Sequence, residues 1–328
     1  MSHHATVLSL ISAPLLSLHS SPDQVFPVPG FPSITLCRND FDRPFTDQFP
    51  TGPHWDFILE AGRAMAASFG MIVNSFYNME KPFADHSAAR EGLRCYTVGP
   101  LCLAGPPVGP RGPQKPRWIE WLDEKNQTPV LYVAFGSQAE ISAAQLREIA
   151  NGLESSNARF LWVVRKDFCD LNVIGGSFEE RVKGKGIIVN EWVDQREILE
   201  HPAVQGFLSH CGWNSVLEGI CAEVPILAWP MMAEQYLNAK FVTEEIGIGL
   251  RVGTVDGTRK GFVAGENLRS AVVELMEGEK GKRVREKVKE VAKEARKAVA
   301  EGGSSWLDLN RMIEETSKHA KMMNSYVE

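Results

Sequence analysis

The stretch Trp192–Gln235 reads WVDQREILEHPAVQGFLSHCGWNSVLEGICAEVPILAWPMMAEQ. Two short apolar runs stand out in it, Val204–His210 and Pro225–Trp229. Segments of helical character lie around them: Gln195–Glu200, Asn214–Ala222 and the start of Ala233–Ile246. Short apolar runs separated by helices are the pattern of strands buried on both faces of a parallel sheet. Outward, the alternation continues. Val130–Phe135 (VLYVAF), Phe160–Val164 and Gly186–Trp192 predict earlier strands, and Ile248–Val252 predicts the last one. Ser142 is placed to cap a helix running to about Leu153. Right-handed crossovers then put the strand-to-helix loops along one edge of the sheet, where such folds bind ligands. The fold class is therefore α/β, with a Rossmann-like sheet.

At roughly 100–200 residues per domain, 328 residues predict about two domains. A hydrophobic content of 44% and a charged content of 23% are those of a globular chain with a core. The net charge of −6 argues against a nucleic-acid partner, which would demand a surplus of Lys and Arg. The 16 Phe and 8 Trp bury enough surface to exclude disorder as the main state. Cys37, Cys95, Cys102, Cys169, Cys211 and Cys221 form no CxxC pair and read as reduced thiols of a cytoplasmic protein. No run approaches the ~18 apolar residues of a membrane span. Ala5–Leu18 is interrupted by Ser9, Ser12 and Pro14 and follows no Lys or Arg, so it predicts a buried helix rather than a signal peptide.

The domain boundary falls at Gly105–Pro116, GPPVGPRGPQKP, whose prolines and glycines exclude helix and sheet. Residues 1–104 read as a partial amino-terminal domain, 105–117 as a linker and 118–328 as a carboxy-terminal domain with closing helices from Glu266 onward. The mixed charges of Lys280–Ala300 predict a solvated helical face. Before the linker, Ser33–Cys37, Met71–Ser75 and Tyr96–Val98 predict strands and Ile58–Phe69 a helix. Three strands make a poor independent parallel sheet.

The chemistry concentrates in Trp192–Gln235. A strand ending at His210 turns through Cys211, Gly212 and Trp213 into a helix opening at Asn214 and Ser215. Such a helix start presents unpaired N–H groups and about half a positive charge, which suits an anion. Gly212 allows close approach and His210 can donate a hydrogen bond. Glu218, three residues after Ser215, shares its helix face. A carboxylate there would repel a phosphate but accept from a neutral diol. Trp192 is expected to end a strand on the same edge, where an indole can stack on a flat base. Base, diol and diphosphate together describe a nucleotide. Glu234 and Gln235 begin the next helix as an acid–amide pair suited to the hydroxyls of a sugar.

This segment resembles the signature box of plant UDP-dependent glycosyltransferases, the secondary-product enzymes of family 1. It has the box's full length without insertion. It matches at Trp192, Gln195, Leu199, His201, Phe207, His210, Gly212, Trp213, Asn214, Ser215, Glu218, Pro225, Pro230, Glu234 and Gln235. The similarity runs from about Met71 to Ser305, and WVDQ and AWPMMAEQ mark a 90A-type subfamily. Three positions depart from the family's usual residues: Asp194 for Pro, Glu223 for Gly and Glu234 for Asp. The resemblance implies a GT-B fold of two facing Rossmann-like domains, the amino-terminal one incomplete. It also implies UDP-glucose as donor substrate, a small-molecule acceptor, no metal or other cofactor, and a monomer. It assigns uracil to Trp192 and the Val193 backbone, ribose to Gln195 and Glu218, and the diphosphate to His210, Asn214 and Ser215, with Gly212 admitting it and Ser137 nearby. Trp213, Glu234 and Gln235 are assigned the sugar, Gln235 favouring glucose over galactose.

The reaction implied is inverting transfer of glucose to a hydroxyl of a small plant metabolite. The base in this family is a His near the start of the amino-terminal domain, oriented by an Asp. No match to that dyad is found: His3, His4, His19, His54 and His86 lack the family's context. About the first third of a typical chain is expected to be absent. The alternative expectation is therefore a UDP-sugar-binding protein without turnover. Asp40-Phe41-Asp42 spells a DxD but lies outside the nucleotide domain, and a GxGxxG, as a nicotinamide oxidoreductase would need, follows no strand.

Overall fold

The computed structural model describes residues 21–325 apart from 22, 48, 90–93, 106–114, 126, 127, 165–170 and 176. The helix expected over Ala5–Leu18, the residues His3, His4 and His19, and most of the linker lie outside the described residues. The chain divides into two compact units, Met1–Pro106 with Lys293–Glu328, and Pro107–Ala292.

In the first unit, β1 (Phe26–Val28) and β2 (Phe31–Leu36) pair antiparallel. Then come α1 (Pro53–Ala67), β3 (Gly70–Val73), α2 (Tyr77–Ala89) and β4 (Arg94–Thr97), with β3 and β4 parallel. The three strands expected in this half are present, each starting slightly earlier. β1 was not foreseen, because three residues that include Pro27 carry too little pattern.

The second unit runs α3 (Arg117–Glu124), β5 (Val130–Ala134), α4 (Ala143–Ser155), β6 (Arg159–Val163), α5 (Phe178–Arg181), β7 (Gly186–Val189), α6 (Gln195–Leu199), β8 (Val204–Ser209), α7 (Trp213–Cys221), β9 (Ile226–Ala228), α8 (Gln235–Lys240), β10 (Gly249–Arg251) and α9 (Gly265–Met276). The strands form one sheet in the order β7-β6-β5-β8-β9-β10, with every pair parallel. This is a doubly wound sheet, and the strand order reverses between β5 and β8. In open sheets of this kind ligands bind outside the carboxyl ends of the strands at such a switch point.

Both faces of the sheet are covered. Leu131 and Val133 of β5 face one side, with Leu146, Ile149 and Leu153 of α4 and Leu268, Val272 and Leu275 of α9. Val130, Tyr132 and Ala134 face the other, with Trp118, Ile119 and Leu122 of α3 and Ile198 and Leu199 of α6. Alternate side chains of one strand thus enter two separate cores, and every residue of β5 is buried. Full burial of each Leu or Ile contributes about 1.5–3 kcal/mol. The expected cap is in place, with the Ser142 hydroxyl accepting from Gln145 N.

The chain ends with α10 (Glu279–Val299) and α11 (Ser304–Ser325). The closing helices were expected with the second domain, but α11 belongs to the first unit. The Asp308 carboxylate accepts from the backbone N–H and the hydroxyl of Thr97, both at 2.8 Å, and the Ser305 hydroxyl donates to Gly99 O at 2.6 Å. The amphipathic pattern of such a helix shows that one face is buried, but not against which partner.

The end of α7 explains one unusual residue. Glu223 adopts φ 61° just past the helix. Its N–H reaches Ile220 O, and Val224 N–H reaches Gly219 O, both at 2.9 Å. This is a Schellman closure, and its left-handed position is ordinarily a glycine's. A Cβ there costs about 1–2 kcal/mol. Glu223→Gly is expected to raise the unfolding free energy by about 1 kcal/mol in denaturant titration. A lower value would show that the Glu223 side chain contributes more than its backbone costs.

Candidate functional site

The turns at the carboxyl ends of β5, β7, β8 and β9 carry the candidate residues. After β5 the chain passes through Phe135, Gly136 and Ser137, and Ser137 is exposed. After β8 it passes through His210, Cys211 and Gly212. The two turns meet at the His210 imidazole. A Cβ on Gly136 would lie 2.7 Å from its Nε2, and one on Gly212 would lie 2.6 Å from the same atom. Gly136 also holds φ 77°, so any other residue there would be strained as well as crowded. Gly136 was not singled out from the sequence. Its role depends on β5 and β8 being neighbours.

Cys211 sits in the left-handed region at φ 63°. Its N–H donates to the Ser209 hydroxyl at 3.1 Å, and its carbonyl accepts from the Asn238 amide at 3.0 Å. These bonds hold the turn so that Gly212 becomes the N-cap of α7, with no side-chain cap. Glycine at the N-cap brings no side-chain oxygen of its own to the first N–H groups of α7. Asn214 is exposed there, whereas Trp213 is buried and its ring lies 6.2 Å from that of Phe241. The Trp213 indole thus faces the protein interior.

Burial pushes the His210 imidazole down to about 4, and its Nδ1 is buried without a hydrogen-bond partner. The ring is neutral at physiological pH, with one nitrogen carrying the proton. It can donate to an anionic oxygen without bringing a second charge into the turn.

Gln195, Ser215 and Glu218 are drawn together. Gln195 Nε2 donates to the Ser215 hydroxyl at 2.9 Å and to Glu218 Oε2 at 2.6 Å. The Tyr132 hydroxyl donates to Gln195 Oε1 at 3.3 Å. Ser215, placed with the diphosphate by the sequence reading, makes its bond on the Gln195–Glu218 side. Burial pushes the Glu218 carboxyl up, and the Gln195 hydrogen bond pulls against it. Asp194 caps α6, its carboxylate accepting from Arg196 N at 3.1 Å.

Trp192 does not end a strand. β7 stops at Val189, and Trp192 stands 74% exposed in the loop that follows. Val193 is half-buried against the core. On the far loop Glu234 precedes α8, and Gln235 Oε1 accepts from the backbone N–H groups of Met231 and Met232 at 3.0 and 3.1 Å. The amide oxygen is committed to the loop, so the NH2 end of Gln235 is the one left to act as a donor.

The structure contains a His–Asp contact that the sequence reading did not single out. His201 Nε2 lies 3.3 Å from Asp123 Oδ1, while His201 Nδ1 accepts from Ala203 N at 3.2 Å. Both ring nitrogens are engaged, and His201 precedes β8 at the amino ends of the strands. It lies on the wrong edge of the sheet to serve this site. Among the described residues no helix is long and apolar enough to cross a membrane.

The family model for UDP-glucoronosyl and UDP-glucosyl transferase matches residues 108–291. UDP-glycosyltransferase 90A1 of Arabidopsis thaliana is 50% identical over 295 residues, covering 89% of this chain and 61% of its own length. UDP-glycosyltransferase 90A2 of the same plant is 46% identical over 314 residues, covering 94% and 66%. The chain thus spans less than two thirds of the length of these curated relatives. The crystal structure of Medicago truncatula UGT71G1 complexed with UDP-glucose superposes with a TM-score of 0.77 at 33% identity, covering 90% of this chain and 64% of that one. The α/β fold is of the GT-B type.

The state of His210 has a measurable consequence. Its ordinary value is 6.5 and its folded value about 4. Between these limits the unfolded chain holds a proton that the folded chain rejects, so folding stability is lost as pH falls through this window. Denaturant titrations from pH 7 to pH 4 should show a smaller loss in His210→Gln than in the wild type. Equal losses would place the acid sensitivity elsewhere.

Proposed function

Because the chain belongs to the UDP-glucoronosyl and UDP-glucosyl transferase family, we propose that it takes UDP-glucose as donor and transfers glucose, with inversion, to a hydroxyl of a small plant metabolite. In this reading residues 118–292 carry the donor site. The reading rests above all on one observation: the Gln195–Ser215–Glu218 cluster stands beside an uncapped helix start at the switch point between β5 and β8. A paired amide and carboxylate suit a ribose diol, and the helix start suits the diphosphate attached to it.

The exposed Trp192 stacks on uracil, and the backbone of Val193 pairs with its edge. Gln195 and Glu218 hold the ribose. His210, Asn214 and the α7 amides bind the diphosphate, with Gly212 admitting it, Ser215 joining the ribose side to the helix start and Ser137 facing the phosphates from the β5 loop. The sugar lies against the Trp213 backbone, Glu234 and Gln235. With its oxygen bonded to the Met231 and Met232 N–H groups, Gln235 offers its NH2 as a donor to a sugar hydroxyl, which supports glucose. The solved relative complexed with UDP-glucose supports the choice of donor.

The acceptor oxygen attacks the anomeric carbon as the bond from that carbon to the UDP oxygen breaks. The bonding pair leaves on the β-phosphate. Charge accumulates there in the transition state, where the helix start and the neutral His210 donor are already oriented, and such preorganised donors stabilise it without reorganisation. The acceptor proton passes to a base other than His201, whose ring nitrogens are both engaged.

Calorimetry with UDP tests the donor site directly. Trp192→Ala is expected to weaken binding by about 1–3 kcal/mol, roughly 5- to 150-fold, because base stacking is lost. Equal affinity in the variant would remove Trp192 from the site.

A further inference from the structure

Tyr132 lies in the middle of β5, buried, on the face that leads to the candidate site. In register it stands opposite Phe207 of β8, and the two rings stack at 5.0 Å with 21° between their planes. A buried phenol needs a partner for its hydroxyl. Here the partner is Gln195 Oε1, at 3.3 Å. The carboxamide of Gln195 has two unlike ends, and this bond engages the oxygen. The NH2 end is then directed at Ser215 and at Glu218 Oε2. Reversing the amide would bring its oxygen against the Glu218 carboxylate and leave the phenol proton without its acceptor. Burial, with the nearby Glu218 and Asp194 carboxylates, pushes the phenol up, so it stays a donor at physiological pH.

We propose that Tyr132 is a positioning residue: acting through Gln195, it orients the Gln195–Glu218 pair for a cis-diol and makes the site discriminate ribonucleoside diphosphates from their 2′-deoxy counterparts. The proposal rests on the uridine reading above. With Oε2 of Glu218 held by Gln195, Oε1 is the carboxylate oxygen left to accept from the ligand. A ribose offers it two adjacent hydroxyls, and a 2′-deoxyribose offers one. The Tyr132–Gln195 bond is long for a hydroxyl donor, so its effect is that of one modest hydrogen bond, roughly 2- to 10-fold in affinity.

Calorimetry on the full chain with UDP and with 2′-deoxyuridine diphosphate tests it. The wild type is expected to bind UDP more tightly. Tyr132→Phe keeps the stack on Phe207 and removes the hydroxyl. It should shrink the preference for UDP roughly 2- to 10-fold, through weaker UDP binding, and leave the deoxynucleotide within about twofold. In a Gln195→Ala background the same substitution should change the preference no further. An unchanged preference in Tyr132→Phe, equal weakening of both nucleotides, or an undiminished effect without Gln195 would each overturn the proposal while leaving the uridine reading standing. A wild type that binds neither nucleotide would overturn that reading and this proposal with it.

Discussion

The imidazole of His210 is held between two glycine turns, and a Cβ on either glycine would lie under 3 Å from its Nε2. Gly136 closes on it from the end of β5 and Gly212 from the start of α7. Both turns approach so closely because β5 and β8 are hydrogen-bonded neighbours at the point where the strand order reverses. Burial in this turn lowers the tendency of the ring to take a second proton, and so keeps it neutral. Glycine at the N-cap also leaves the α7 helix start without a side-chain cap. The candidate anion site is therefore a product of sheet order as much as of residue type.

The same neighbour relation builds the other half of the site. Tyr132 and Phe207 are opposite one another on β5 and β8, and their stack carries the phenol to Gln195 at the start of α6. Gln195 in turn ties α6 to α7 through Ser215 and Glu218. Two helices following different strands are thereby joined by side chains that belong to the candidate ligand contacts. Substitutions in this cluster are expected to couple, since its members share hydrogen bonds.

The departures from the usual signature fit the local backbone. Asp194 takes an extended conformation and caps α6 through its carboxylate. Glu223 occupies a left-handed position that glycine would adopt at lower cost, yet the closing hydrogen bonds of α7 are intact. Neither residue lies among the proposed donor contacts.

Much of this protein was legible in local pattern. Alternating apolar runs and helices specify an α/β sheet because a parallel strand is buried on both faces, and Ser215 and Glu218 share a face because a helix repeats every 3.6 residues. Such features depend on neighbours a few residues apart. The position of Trp192 in a loop, the packing of α11 with the first unit and the neutral state of His210 depend on which distant segments become adjacent. So does the path from Tyr132 through Gln195 to Glu218, whose members lie 63 and 23 residues apart in sequence. The amino-acid order by itself determined which groups were available at the sheet's edge. The strand order decided which of them touch, because hydrogen bonding and burial act across space.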